Sequence, residues 1–218
     1  MMIDADSDLL LVEDGLPTTR CRILATAERF FREIGYQKTT VADIAKTLRM
    51  SPANVYRFFD SKKAINEAVV ERVTLEIHAL AEGIASKADL SAADRIACIV
   101  RALHSNCVDR CEANPRMHEM VEAAMTESWD VCLAHVERIG ATFTRLVREG
   151  VKAGEFHVAD PDMAARCLHT AITRYTHPML VSQFPNAPAP PVEAMIPFLL
   201  AALGTEAGAI AAASPARH

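Results

Sequence analysis

Residues 40–59 read TVADIAKTLRMSPANVYRFF. Thr40 is an N-cap type, and Val41, Ile44, Ala45 and Leu48 follow it at the spacing of one helical face. Arg49-Met50-Ser51 breaks that helix. Ser51 is a second N-cap, and Pro52 suits the first helical position, where its missing N–H has no intrahelical partner to lose. In the second helix Val55, Phe58 and Phe59 are expected to turn inward and Ala53, Asn54 and Arg57 outward. Two short capped helices across a tight break make a helix-turn-helix. The first props the second at a steep angle, so that the second offers its N-terminal and outward residues to the DNA major groove. Arg57 can bind guanine O6 and N7 together, and Asn54 can pair with adenine N6 and N7. Phosphates are met by hydroxyls, helix N-termini and basic side chains.

Toward the N-terminus, Thr18 or Thr19 caps a helix whose stripe is Ile23, Ala27, Phe30, Phe31 and Ile34, and Gly35 ends it. Toward the C-terminus, Asp60-Ser61 caps a fourth helix reaching about Lys87, with the stripe Ile65, Val69, Val73, Ile77 and Leu80. At about 1.5 Å per residue it is roughly 40 Å long, more than a three-helix head needs. Helical patterns continue from Ser91 to Asn114, from Pro115 to about Thr126, from Glu127 to Val151 before Gly154, from Asp160-Pro161 toward Thr176, and from about Val192 to Leu203 before Gly204. His177-Pro178 should kink or end its helix, and 185–191 (PNAPAPP) reads as a loop. No strand pattern and no internal repeat stand out.

The composition is that of a globular domain: 218 residues, 50% hydrophobic and 23% charged, which excludes wholesale disorder. No apolar run approaches the roughly 20 residues that span a bilayer. The opening MMIDADSD is acidic and lacks the basic start of a secretory signal, so a cytoplasmic protein is expected. Six cysteines without a CxxC fit that compartment as thiols. The net charge of −5 is unevenly spread. Residues 20–73 hold eleven Lys/Arg against six Asp/Glu, while residues 1–19 hold five acids and no base. A basic block in an acidic chain fits either a polyanion-binding face or a solvated surface.

Residues 18–73, with RILATAERFFREIGYQKTTVADIAKTLRMSPANVYRFFDSKKAI at their heart, resemble the N-terminal domain of TetR-family (tetracycline-repressor-like) transcriptional regulators. The landmarks are Gly35-Tyr36, Thr39-Thr40, Ile44-Ala45, Ser51, Tyr56, Phe59 and Lys62. The resemblance implies that Thr40 caps the second helix and touches a phosphate, and that Ser51 and Pro52 begin the recognition helix. It implies further that Ala53, Asn54 and Arg57 read base edges, that Tyr56 and Phe58 lie on the sugar-phosphate backbone, and that Lys62 clamps a phosphate. Arg49 and Met50 stand where the family usually has Gly and Val, so Arg49 is expected in a left-handed backbone. Lys63 replaces a commonly acidic residue.

Beyond the head, Met117, Met120, Met125, Trp129, Phe143 and Tyr175 are candidates to line an internal cavity for a small, mainly apolar effector; core packing is the alternative for each. His104, Cys107 and Cys111 share one helical face and join that candidate ligand set. Together with His118, Cys132 and His135 they also pose a rival, a helical metal-binding or redox-sensing protein or enzyme using the cluster at 104–135. No zinc-finger or zincin spacing appears, nor any GxSxG, Walker A, GxGxxG or HExxH motif; no metal, cofactor or catalytic residue is assigned.

The expected fold is all-α: a three-helix head with a helix-turn-helix on a larger helical ligand-binding and dimerisation bundle. The expected segments are a mobile tail (1–16), the DNA-binding domain (17–75), the bundle (76–206) and a second tail (207–218). The resemblance implies a homodimeric regulator, a repressor released from a palindromic operator by its effector. It also implies a four-helix dimer interface built from about 160–182 and 192–204 of each subunit.

Overall fold

In the computed structural model the described residues are 12–13, 16–114, 116–182 and 188–204; the side chains of 12, 13, 16, 17 and 117 lie outside the description. The expected tail at 207–218, most of that at 1–16, and part of the 185–191 loop therefore lie outside it too. Ten helices carry the described chain: α1 (Thr19–Glu33), α2 (Val41–Thr47), α3 (Pro52–Tyr56), α4 (Lys62–Ala85), α5 (Ala92–Ala113), α6 (Met117–Glu127), α7 (Trp129–Lys152), α8 (Pro161–Thr176), α9 (Pro178–Ser182) and α10 (Val192–Gly204). The fold class is all-α, as the periodicity predicts. The one addition is a two-residue antiparallel ladder of β1 (Val12–Glu13) and β2 (Leu16–Pro17), too short to leave an alternating pattern.

The caps stand where the sequence puts them. Thr18 accepts from Cys21 N and starts α1, and Gly35 follows its C-cap with φ +101°. Ser91 Oγ accepts from Asp94 N at α5, and the Asp160 carboxylate accepts from Asp162 N and Met163 N at α8. The helix α9 was not expected. Pro178 ends α8 and also takes the first position of a new turn, the role Pro52 plays in α3.

The chain forms two compact units. The first gathers the described residues up to Leu75 with Cys111–Leu133, so α6, which the sequence reading assigns to the 76–206 bundle, packs among the N-terminal helices. Its core includes Ile23, Phe31, Ile44, Val55, Ile65 and Met120, all nearly inaccessible. Phe31 meets Tyr36 edge to face at 5.2 Å. Glu28, also buried, pairs with Arg32 and with Arg72 of α4. A buried carboxylate of this kind is held because each of its oxygens is answered by a guanidinium.

The second unit gathers Glu76–Arg110 with the described residues from Ala134 onward. Ile99, Phe143, Leu146, Val147 and Ile172 make the centre of its core. Glu155 accepts from the first two N–H groups of α5, Ala92 and Ala93, both at 3.1 Å. It satisfies donors that a helix start otherwise leaves open. The α4 stripe is corrected at Leu80, which is exposed; the buried face passes through Ala81 and Ala85 instead. Among the described residues no helix is long and apolar enough to cross a membrane.

Candidate DNA-binding surface

The helix-turn-helix is built from its caps upward. Thr40 and Asp43 form a reciprocal capping box on α2: Asp43 N donates to Thr40 Oγ1 at 3.2 Å, and Thr40 N donates to the Asp43 carboxylate at 3.1 Å. The Thr40 hydroxyl also donates to Asp43 at 2.6 Å, and these bonds hold the Asp43 carboxyl below its usual range. Thr40 itself stays exposed. The turn closes through Met50 N, which donates to Ala45 O at 2.9 Å, and Arg49 takes the left-handed backbone with φ +55°, as expected of a residue standing in a glycine position.

Ser51 accepts from Asn54 N and starts α3, with Pro52 in its first turn. Val55 and Phe59 are buried and seat this helix on the core. Ser51, Pro52, Ala53, Tyr56 and Arg57 are exposed and Asn54 is partly exposed, which leaves the proposed base-reading side chains on the open face. The inward expectation for Phe58 is corrected: it is 41% exposed. The helix ends at Tyr56, so Phe58 no longer follows the helical phase used to place it. Lys38, Lys46 and Arg49 are exposed nearby in the chain and add to the positive charge of this segment.

Lys62 is more committed than a phosphate clamp requires. Its ammonium donates to the carbonyls of Tyr36 (2.7 Å), Thr39 (3.1 Å) and, at 3.4 Å, Gln37, and lies 4.2 Å from the Tyr36 ring centroid. Partial burial lowers its pKa. The same loop is held by Thr39 Oγ1, which donates to Gly35 O, and by the Tyr36 hydroxyl, which donates to Glu127 at the end of α6. Burial, with the Glu127 carboxylate close by, pushes the Tyr36 phenol up to about 12. Gly35 is required twice over: its φ is positive, and a side chain there would run into the Glu119 carboxylate. Sequence reading missed this scaffold, although the run Gly35-Tyr36 with Thr39 and Lys62 contains it.

The candidate ligand residues divide between the units. His104, Cys107, Phe143 and Tyr175 belong to the second; Cys111, Met120, Met125 and Trp129 belong to the first. His104 and Tyr175 do meet, with rings edge to face at 6.0 Å and His104 Nδ1 at 3.0 Å from the Tyr175 carbonyl. Phe143 and Met120 are fully buried within their own cores, while Trp129 is 52% exposed. None of the six cysteines forms a disulfide. Among the described residues no three His, Cys, Asp or Glu side chains come together to hold a metal ion. Burial raises the Cys132 thiol, the opposite of what a reactive thiolate needs. The metal or redox rival is not favoured by this geometry.

Comparison with known proteins agrees on the family. Residues 23–69 match the family model of bacterial regulatory proteins, tetR family, and residues 92–190 match that of the tetracyclin repressor-like C-terminal domain. Over 50 residues the chain is 44% identical to the biofilm operon icaADBC HTH-type negative transcriptional regulator IcaR of Staphylococcus aureus (strain Newman), a stretch covering 23% of this chain and 27% of the relative's length. Among solved structures, Salmonella enterica GusR superposes with a TM-score of 0.63 at 23% identity, over 88% of this chain and 97% of that one. FadR of Bacillus subtilis, in complex with stearoyl-CoA, superposes with a TM-score of 0.61 at 15% identity, over 84% and 97%. Such identities speak to the fold alone. The two family models fall on the helix-turn-helix segment and on the helices after α4, and the chain belongs to the TetR family of DNA-binding transcriptional regulators.

Proposed function

We propose that this regulator is a cytoplasmic homodimeric repressor, not an enzyme, released from a palindromic operator by a small organic effector. The observation that carries the reading is the two-sidedness of α3 and the turn that follows it: Val55 and Phe59 are buried, while Ala53, Tyr56 and Arg57 stand open beside partly exposed Asn54. In this reading Ala53, Asn54 and Arg57 meet base edges. Thr40, Ser51, Tyr56 and Phe58 meet the backbone. Residues 17–75 act as the DNA-binding head and 76–206 as the ligand-binding and dimerisation part. A single head spans few base pairs, and two heads at a fixed separation multiply affinity for a palindrome. The negative regulator IcaR, similar over the head, supports repression, and the stearoyl-CoA held by FadR supports an effector with an apolar body.

An effector can act only by favouring one arrangement of the heads. α4 is continuous through both units, from Lys62–Leu75 in the first to Glu76–Ala85 in the second, and is the element through which such a preference would pass. The test is selection of bound sequences from a random DNA pool by the purified full-length chain, with light scattering of the free protein. A palindromic consensus bound by a dimer is the expected result. A monomer at micromolar concentration, or binding that ignores sequence, would refute the proposal.

A further inference from the structure

The charge of the first unit is divided along the chain. Residues 1–19 carry five acids, Asp4, Asp6, Asp8, Glu13 and Asp14, and no base. Residues 20–73 carry eleven Lys/Arg against six Asp/Glu. Pairing inside the fold concentrates that excess in one place. Glu28 is taken by Arg32 and Arg72, Glu33 lies beside Arg29 and Glu67 beside Lys63, and Lys62 is held by backbone carbonyls. Arg22, Lys38, Lys46, Arg49 and Arg57 are exposed and form no ion pair among the described residues. Four of these five fall within 38–57, where the single acid, Asp43, is bonded to Thr40. The second unit treats its arginines differently: Arg95, Arg101, Arg145 and Arg148 pair with Glu149, Glu193, Glu82 and Asp162.

The acidic block is tethered beside this cationic surface. β1 and β2 pair antiparallel with Val12 opposite Pro17, so the backbone at Val12 is turned back to the start of α1. There the Arg20 guanidinium lies 4.9 Å from the centre of the Phe59 ring, and Phe59 is the buried residue just past α3 that seats it on the core. Arg57 stands two residues before Phe59. Reach is ample: at about 3.3 Å per residue the chain from Asp4 to Val12 extends up to about 26 Å. The helices α2 and α3 are only about 10 Å and about 8 Å long.

We propose that residues 1–11 dock on the cationic face of residues 38–57 of their own chain, with the carboxylates of Asp4, Asp6 and Asp8 standing in for DNA phosphates. The proposal rests on the reading of that face as the DNA surface and adds a built-in competitor for it. In extended backbone, alternate residues share one side about 7 Å apart, so the spacing of Asp4, Asp6 and Asp8 suits a row of carboxylates. Each contact is a weak exposed ion pair, but the tether gives the segment a high effective concentration. Docking stabilises the DNA-free protein. It therefore lowers affinity for operator and random DNA by one common factor, and bound DNA displaces the segment.

The experiment compares the full-length protein with a variant carrying Asp4→Asn, Asp6→Asn and Asp8→Asn together. The parent is first treated, without DNA, with a water-soluble carbodiimide, which joins a carboxylate to an amine in contact with it, and the products are mapped by mass spectrometry. The expected result is amide links from Asp4, Asp6 or Asp8 to Lys38 or Lys46 within one chain, lost at about 0.5 M salt, where exposed charges are screened. In anisotropy titrations with a random-sequence duplex, the variant should bind about three- to tenfold tighter at low salt, the scale of two or three exposed ion pairs. The difference should close as salt rises. Equal affinity of the two proteins at low salt, no such links, or links found only between two chains would overturn the proposal. Tighter binding of the variant without links would replace docking by simple repulsion between the acidic segment and DNA. If neither protein binds DNA, the reading of the surface fails, and the links alone decide whether the segment docks.

Discussion

Lys62 grips Tyr36 from two directions, donating to its carbonyl at 2.7 Å while its ammonium lies 4.2 Å from the centre of the ring. With Thr39 O as a further acceptor, the ammonium closes the loop between α1 and α2. The positive charge is spent inside the protein, so its loss should be felt by the fold before the DNA. Lys62→Ala is expected to lower the stability of the first unit by about 1.5–3 kcal/mol, the range for hydrogen bonds to a charged group. Denaturant unfolding measures this. The salt dependence of operator binding should keep its slope. A slope shallower by about one charge with stability intact would return Lys62 to the role of phosphate clamp.

Arg57 presents the opposite case, an exposed guanidinium just past the last residue of α3. If it reads a guanine, Arg57→Ala costs about 1–3 kcal/mol on the operator and flattens preference at one base pair. Competition with single-base operator variants checks this. Equal loss on every sequence would make Arg57 a backbone contact instead.

The head was legible in the sequence because its information is local. Caps such as Thr40, Ser51 and Asp160 act on the first turn that follows them, and a helix stripe needs only its own spacing. What stayed hidden depends on partners distant in the chain. Lys62 carries the same charge whether it faces a phosphate or the Tyr36 carbonyl 26 residues earlier. Phe58 was misplaced because helical phase was carried two residues past the end of α3. Residue type alone does not separate Phe143, sealed in a core, from half-exposed Trp129. The α9 turn could have been found: Pro178 carries the N1 signal already used at Pro52.

Arg49 holds φ +55°, a backbone that costs an L-residue roughly 1–2 kcal/mol and glycine almost nothing. Arg49→Gly removes that strain but widens the unfolded ensemble, so a net gain of about 0.5–1 kcal/mol is expected. The same change removes an exposed positive charge beside the recognition helix, and binding to random DNA should weaken at low salt. Chemical unfolding and anisotropy titrations read the two effects separately. A loss of stability would mean that the Arg49 side chain supports the turn.

Glycines 150 and 83 make a matched pair, both inside long helices, with opposite expected responses to alanine. Around Gly83 of α4 nothing stands within 4 Å of an added Cβ, so Gly83→Ala should gain up to about 1 kcal/mol from helix propensity alone. At Gly150 of α7 an added methyl overlaps the ring of Phe156 and crowds Ala92 at 3.1 Å. Phe156 is 4% exposed, and its backbone N–H donates to Gly150 O at 3.3 Å, so the ring has little room to retreat. Neighbouring Glu155 caps the start of α5, and a shift of this turn would open those bonds too. Gly150→Ala is therefore expected to lose about 1–3 kcal/mol through overpacking, despite the same propensity gain. Thermal or denaturant unfolding of both variants beside the parent chain decides it. Stabilisation at both positions would show that the α7–α8 turn yields to the methyl and that Phe156 is not fixed by Gly150.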